Sequence, residues 1–169
     1  MNESWREVAA DIESRIEADI RQDAMGEEVE LRHGEEATTT LANRLYAHVG
    51  RDVTLILGGD PLRVRLEECA EEWLAGATAT GLTIARLCAI DAVVNLPVAV
   101  EARPGVARKL GLTSGLRRYA DGRFIACRTR EGLHTGVLAR VGRDFIDVDT
   151  LSGRTCINLK AVLRVGLRD

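Results

Sequence analysis

The stretch Gly122–Val148, GRFIACRTREGLHTGVLARVGRDFIDV, decides the fold that this sequence predicts. Apolar and polar residues alternate along it, and the turn-forming pairs Glu131-Gly132 and Gly142-Arg143 interrupt the alternation. Short alternating segments joined by tight turns are typical of antiparallel hairpins. Gly136 falls inside one segment, where a missing side chain usually marks a sharp bend. The stretch therefore predicts a small, strongly bent β-barrel.

An earlier stretch of the chain repeats this pattern at an offset of 71 residues. Val53–Leu57 aligns with Phe124–Arg128, and Trp73 aligns with Phe145 after a slip of one residue. A match that extends over a whole segment indicates an internal repeat. It also predicts that Trp73 and Phe145 occupy equivalent, buried positions.

Each copy resembles the SH3-like or Sm-like small β-barrel, which has a turn of the form hydrophobic-Gly-x-Asp/Glu-hydrophobic. Val141–Ile146 has this turn, and Ala70–Leu74 has a version without the glycine. The whole chain is similar to uncharacterised actinobacterial proteins, sometimes labelled Fis-family transcriptional regulators, through Leu41–Gly50, Glu72–Leu74 and Thr113–Arg117. This resemblance implies N-terminal helices, a barrel, a short helix and a second barrel. It implies no particular activity.

The predicted fold class is α+β, mainly β: N-terminal helices followed by two tandem SH3-like or Sm-like small barrels joined by a short helical linker. The predicted segments are an acidic amphipathic helical segment at 1–50, a first barrel at 51–97, a linker with a short helix at 98–121 and a second barrel at 122–169. Small domains bury a small share of their surface. We therefore expect the barrels and helices to pack on one another or on a second subunit.

Apolar residues near the N-terminus recur at intervals of three and four, at Trp5, Val8, Ile12 and Ile16. This spacing predicts one apolar stripe on an amphipathic helix. A stripe of this kind needs a partner surface, so the four residues are predicted to form a helix interaction site, either with a barrel or between chains.

The charge is unevenly distributed along the chain. Residues 1–50 hold 5 Lys and Arg against 12 Asp and Glu, whereas residues 101–169 hold 14 against 7. The basic half either contacts phosphate or docks on an acidic partner, such as the acidic front half. The candidate contact residues are Arg117, Arg118, Arg128, Arg130 and Arg143, because guanidinium groups suit both phosphate and carboxylate.

Three aromatic residues bear on the choice between phosphate and an acidic partner. Binding of single-stranded nucleic acid usually requires exposed aromatic rings for base stacking. Phe124 and Phe145 are expected to be core residues, which leaves Tyr119 as the nearest candidate. The acidic partner is therefore the favoured interpretation.

The sequence contains no G-x-S-x-G, H-E-x-x-H or G-x-x-x-x-G-K motif, so no catalytic, cofactor-binding or metal-binding residue is predicted. The four cysteines stand singly, as expected of reduced thiols, at Cys69, Cys88, Cys127 and Cys156. The N-terminus lacks the layout of a signal peptide, and no apolar run approaches the roughly 20 residues of a membrane span. We therefore expect a cytoplasmic protein without a membrane anchor.

These observations together predict a non-enzymatic interaction or adaptor protein. Its partner is expected to be another protein or a second copy of the chain, for example in a homodimer. The alternative is an RNA- or DNA-binding regulatory protein that uses the arginines of the second barrel.

Overall fold

The computed structural model describes residues 39–96 and 109–167, and ten antiparallel strands form one sheet there. The strands are β1 (Asp52–Leu57), β2 (Asp60–Cys69), β3 (Trp73–Thr78), β4 (Gly81–Arg86), β5 (Ile90–Val94), β6 (Phe124–Thr129), β7 (Leu133–Val141), β8 (Phe145–Thr150), β9 (Gly153–Asn158) and β10 (Val162–Leu167). Their order in the sheet is β5-β1-β2-β3-β4-β10-β6-β7-β8-β9.

Two α-helices accompany this sheet, α1 (Leu41–Tyr46) before β1 and α2 (Leu112–Tyr119) before β6. Single turns of 3-10 helix at Leu87–Ala89 and Leu159–Ala161 precede β5 and β10. In the described ranges, no helix has the length and apolar character needed to cross a membrane. We call α1 with β1–β5 the first half, and α2 with β6–β10 the second half.

The strand pairing of the first half recurs in the second half. Asp52 pairs with Arg65, and Phe124 and Val137, each 72 positions later, pair in the same way. The irregularity in the β2–β3 pairing, between Leu66 and Glu68, recurs between Leu138 and Arg140. The structural offset is therefore 72, one residue more than the offset expected from the sequence alignment.

The turns that lead into the two halves also correspond. Gly50 donates its N–H to the Leu66 carbonyl at 2.7 Å, and Gly122 donates to the Leu138 carbonyl at 3.1 Å. Both glycines have positive φ, 86° and 68°. A side chain disfavours this conformation, so glycine at both positions allows the chain to turn from helix into strand.

The prediction of two separate small barrels is wrong, because β4 of the first half pairs with β10 of the second. Val165 lies opposite Ile84 in this pairing. Two side-chain hydrogen bonds cross the same junction: Thr83 Oγ1 donates to the Val165 carbonyl at 3.4 Å, and Arg86 Nη1 donates to the Leu159 carbonyl at 2.9 Å. The predicted fold class is therefore corrected to a mostly β structure with one continuous sheet.

The composition of β3 explains why the halves merge. Trp73, Leu74 and Ala75 are exposed by 1%, 0% and 0%, so both faces of this strand are buried. Leu74 belongs to the core of the first half, whereas Trp73 and Ala75 belong to a core formed largely by the second half. A separate first barrel would leave the Trp73 face in water, at a cost of about 25 cal/mol for each Å² of apolar surface.

Trp73 is buried by α2, which lies directly on its ring. A Cβ atom added to Gly115 would stand 2.9 Å from Trp73 Cε2, so only glycine permits this approach. Phe145 occupies the equivalent position, as the first residue of the third strand of its half, but it is only half-buried. The equivalence of the two positions is confirmed, but Phe145 is only partly buried where a core residue was predicted, and the Arg140 guanidinium lies over its ring at 4.9 Å from the centroid.

We predict that Gly115→Val destabilises the protein by about 1–3 kcal/mol, because the added methyl groups overlap a buried ring that has no space to move. Urea unfolding followed by circular dichroism measures this change. Gly132→Val is the matched control, since a Cβ atom there meets nothing within 4 Å. A Gly115→Val protein as stable as the control would contradict the packing of α2 on Trp73.

Candidate functional site

The outer face of β6 and β7 carries exposed apolar side chains. Phe124 and Val137 lie opposite each other on the two strands and are 48% and 40% exposed, and Leu133, on the same face, is 56% exposed. Residues that alternate with them, Ile125 and Leu138, are fully buried. Each strand therefore directs one set of apolar residues into the core and a second set into solvent. We call Phe124, Leu133 and Val137 the apolar face.

The same place in the first half is polar. Asp52 and Arg65 stand where the second half has Phe124 and Val137. Arg63 Nη2 contacts Asp52 Oδ2 at 2.9 Å on this surface. The fold therefore tolerates charged residues at these positions, and the apolar face of the second half is not a requirement of the sheet.

Arginines lie at one end of the apolar face. Arg128 follows Phe124 on the outward side of β6, and Arg164 of β10 is its neighbour across the strand pair. Small residues, Ala126 and Gly166, lie beside each other between Phe124 and this arginine pair. Arg128 Nη2 stands 3.8 Å from Asp60 Oδ2, with both side chains well exposed, so this ion pair contributes little to stability.

An open cleft of about 320 Å³ lies between the two halves. Its lining includes Cys88 and Asp91 from the first half and Arg128 and Arg130 from the second. Asp91 Oδ2 accepts a hydrogen bond from the Gly59 N–H at 3.3 Å, which holds this carboxylate near the β1–β2 turn. The cleft brings together two of the five arginines predicted to contact phosphate or an acidic partner.

The other three predicted arginines lie elsewhere. Arg117 and Arg118 are in the last turn of α2, and Arg143 is exposed in the turn between β7 and β8. Arg117 Nη2 donates to the Val141 carbonyl at 3.0 Å, and Arg118 Nη1 donates to the Glu68 carboxylate at 3.0 Å. The five arginines therefore do not form one continuous surface, because strand order separates residues that are close in sequence.

Glu68 is the centre of a polar contact between the halves. Besides Arg118, it accepts a hydrogen bond from the Tyr119 hydroxyl. Burial, this hydrogen bond and the negative charge of Glu68 raise the pKa of Tyr119 to about 12. The carboxylate therefore holds α2 on β2 through its hydrogen bonds with Arg118 and Tyr119.

The predicted helix interaction stripe, Trp5, Val8, Ile12 and Ile16, lies outside the described residues, as does the rest of the predicted N-terminal helical segment up to residue 38. It stays a prediction. Within residues 39–96 and 109–167, no group of three or more His, Cys, Asp or Glu side chains is arranged to hold a metal ion.

The apolar face was not identified from the sequence, because Phe124 was assigned to the core. The alternation around it contains the missing signal. Ile125 and Cys127 share one side of β6, so Phe124 shares the opposite side with Arg128, which indicates solvent. The expectation of a buried Phe124 is wrong for this reason.

Comparison with known proteins adds no further information about the site. No protein-family model matches this sequence, and no curated protein is significantly similar to it.

We predict that Glu68→Gln lowers the pKa of Tyr119 from about 12 but leaves it above 10.0, because burial, the largest cause of the shift, remains. An ultraviolet titration in a Tyr46→Phe background follows this one phenol. Glu67→Gln is the control and should have a smaller effect, since Glu67 is the weakest of the contributing charges. Equal effects of the two substitutions would contradict the assigned hydrogen bond.

The same contact makes stability depend on pH. The pKa of Tyr119 is higher in the folded chain, about 12, than its ordinary value of 10.0. The unfolded chain therefore loses this proton first, and the stabilisation present below pH 10 is lost as the pH rises through 12. Urea unfolding at increasing pH should show a smaller loss over this window in Tyr119→Phe than in the wild type.

Proposed function

We propose that this chain is a non-enzymatic adaptor protein that binds a protein partner through the apolar face of its second half. The observation that carries the proposal is the exposed, directly opposed pair Phe124 and Val137, at positions where the first half has Asp52 and Arg65. Burial of such a face against a partner releases about 25 cal/mol for each Å² of apolar surface.

The contacts of the arginines support a protein partner over phosphate. Arg117 and Arg118 already bond to groups within the chain, a backbone carbonyl and the Glu68 carboxylate. A phosphate would have to displace these bonds, and the local carboxylates Glu68 and Asp60 lower the positive potential that attracts nucleic acid. The adaptor is proposed to act in the cytoplasm, which the free thiols of the described cysteines support.

A second candidate function rests on one observation, the arrangement of Phe124, Arg128 and Arg164 on one outer face. An exposed ring stacks on bases, and two neighbouring guanidinium groups contact phosphates. Arg164 Nη1 lies over Gly166, 3.8 Å from the position of a Cβ atom there, so this guanidinium extends toward Phe124 along the same face. This arrangement favours single-stranded nucleic acid over a duplex as the alternative ligand.

A photoreactive amino acid placed at position 137 in cells tests the proposal, and the same residue at position 65 is the matched control. Position 65 has the same place in the first half, where the surface is polar. We expect specific protein adducts from position 137 and none from position 65. Nuclease-sensitive adducts from position 137, or identical adducts from both positions, would overturn the adaptor.

Once the partner has been recovered, Phe124→Ser should weaken its binding by on the order of tenfold or more, since aromatic side chains at interface centres carry about 2 kcal/mol each. Leu151→Ser, in the β8–β9 turn, is the control because this side chain is fully exposed and lies outside the apolar face. Fluorescence anisotropy measures both affinities.

The wild type, Phe124→Ser and Arg128→Gln are titrated with labelled single-stranded RNA at two salt concentrations. The adaptor predicts weak binding that does not depend on Phe124 or Arg128. Binding below about 1 µM that falls steeply with salt and is lost in Arg128→Gln would establish the second candidate instead.

A further inference from the structure

The two ends of the sheet correspond to the two strands of its internal junction. The junction joins β4 to β10, whereas β9 and β5 are the terminal strands of the described sheet. By the offset of 72 positions, β9 is the counterpart of β4 and β5 is the counterpart of β10. The two edge strands of one chain, β9 and β5, are thus the counterparts of β4 and β10, which pair with each other inside the sheet.

Backbone geometry alone would allow a second copy to extend the sheet. An edge strand offers unpaired N–H and C=O groups to any strand that fits them. The internal register predicts which residues would meet: Val165 lies opposite Ile84, and their counterparts are Val93 on β5 and Cys156 on β9. Val93 of one copy would therefore lie opposite Cys156 of another.

The side chains at the internal junction differ from those at the β9 edge, and the difference opposes addition of a second copy to the sheet. The internal junction buries Ala75 and Ile84 and packs Leu82 against the core of the second half. At the corresponding places the second half has Asp147, Cys156 and Arg154. Apolar contacts on one strand pair are thus replaced by charges on the other.

Ion pairs hold these charges in place. Arg140 Nε donates to Asp147 Oδ2 at 3.0 Å, and Arg154 Nε donates to Asp149 Oδ1 at 2.7 Å. Asp147 is only 7% exposed although it lies on the outward side of β8. We call Arg140, Asp147, Asp149 and Arg154 the charged end face. A second copy docked here would remove water from the exposed groups Arg140, Asp149 and Arg154 without giving them new partners, which opposes docking.

We infer that the charged end face closes the β9 edge of the described sheet to strand addition by a second copy. Its removal turns this edge into a docking surface for β5 of a second copy, in the register of the internal junction. The inference is independent of the proposed adaptor function, which uses the apolar face.

The first arm of the test is a cysteine cross-link in the full-length protein with otherwise native residues. Val93→Cys is introduced with Cys88→Ser, which removes an exposed native thiol. Paired residues of neighbouring strands lie about 4.5–5.5 Å apart between Cα atoms, a distance that permits a disulfide. We expect no disulfide between copies under complete oxidation. A Cys156-dependent disulfide between copies would overturn the inference.

The second arm replaces three of the four charges by the residues of the internal junction, as Asp147→Ala, Asp149→Ala and Arg154→Leu together. Arg140 is kept, because its counterpart Glu68 is also charged. In this background, Val93→Cys should form a disulfide with Cys156 of another copy, and light scattering should show a mass that exceeds that of the wild type and rises with concentration. Val94→Cys is the register control, because its side chain points to the opposite face of the strand.

A further control tests whether the mass depends on where the removed charges lie, and not only on the removal of charge. Asp52→Ala with Arg63→Leu removes an exposed ion pair from the first half and should leave the mass unchanged. If the triple variant folds by circular dichroism but keeps the wild-type mass, or if Val94→Cys cross-links as well as Val93→Cys, the inference is wrong. Should the triple variant fail to fold, the first arm decides, since it needs no change to the charged end face.

Discussion

The pairing of β4 with β10 is the contact on which the described structure depends. It joins two similar halves into one sheet and places Trp73 under α2, in a core that mixes residues from both. Gly115 is part of the same constraint, because a side chain there would overlap the Trp73 ring. Glu68 completes the junction with bonds to Arg118 and Tyr119. Apolar packing and polar contacts therefore hold the halves together at one place.

Two halves of one backbone design differ mainly in what they leave in solvent. The first half has Asp52 and Arg65 where the second has Phe124 and Val137, yet the two pairs are aligned in the same register. Since the backbone is common to both halves, the sheet itself does not require the exposed apolar pair Phe124 and Val137. This pair is the basis of the proposed adaptor function.

In the second half, the contacts that each arginine makes affect the local electrostatic potential more than the net charge does. The basic character of residues 101–169 suggested one positive surface, but strand order divides the arginines among α2, the cleft and the β7–β8 turn. Several of them already contact carboxylates or carbonyl groups of the chain. A count of charges along a sequence therefore overstates the potential that a phosphate would experience.

The sequence by itself determined the strands, the turns and the repeat, because alternation and turn residues act over a few positions. It did not determine that β4 would meet β10, since the pairing of edge strands depends on residues far apart in the chain. Three consecutive apolar residues at Trp73–Ala75 indicate a strand that is buried on both faces. The alignment with Phe145 suggested instead a strand with one buried face. Only the tertiary structure decided that α2 covers Trp73, that Phe124 faces solvent and that β9 lies at one end of the described sheet. The face of a strand is buried only when another part of the chain packs on it. Which part does so depends on packing between segments that are distant in sequence.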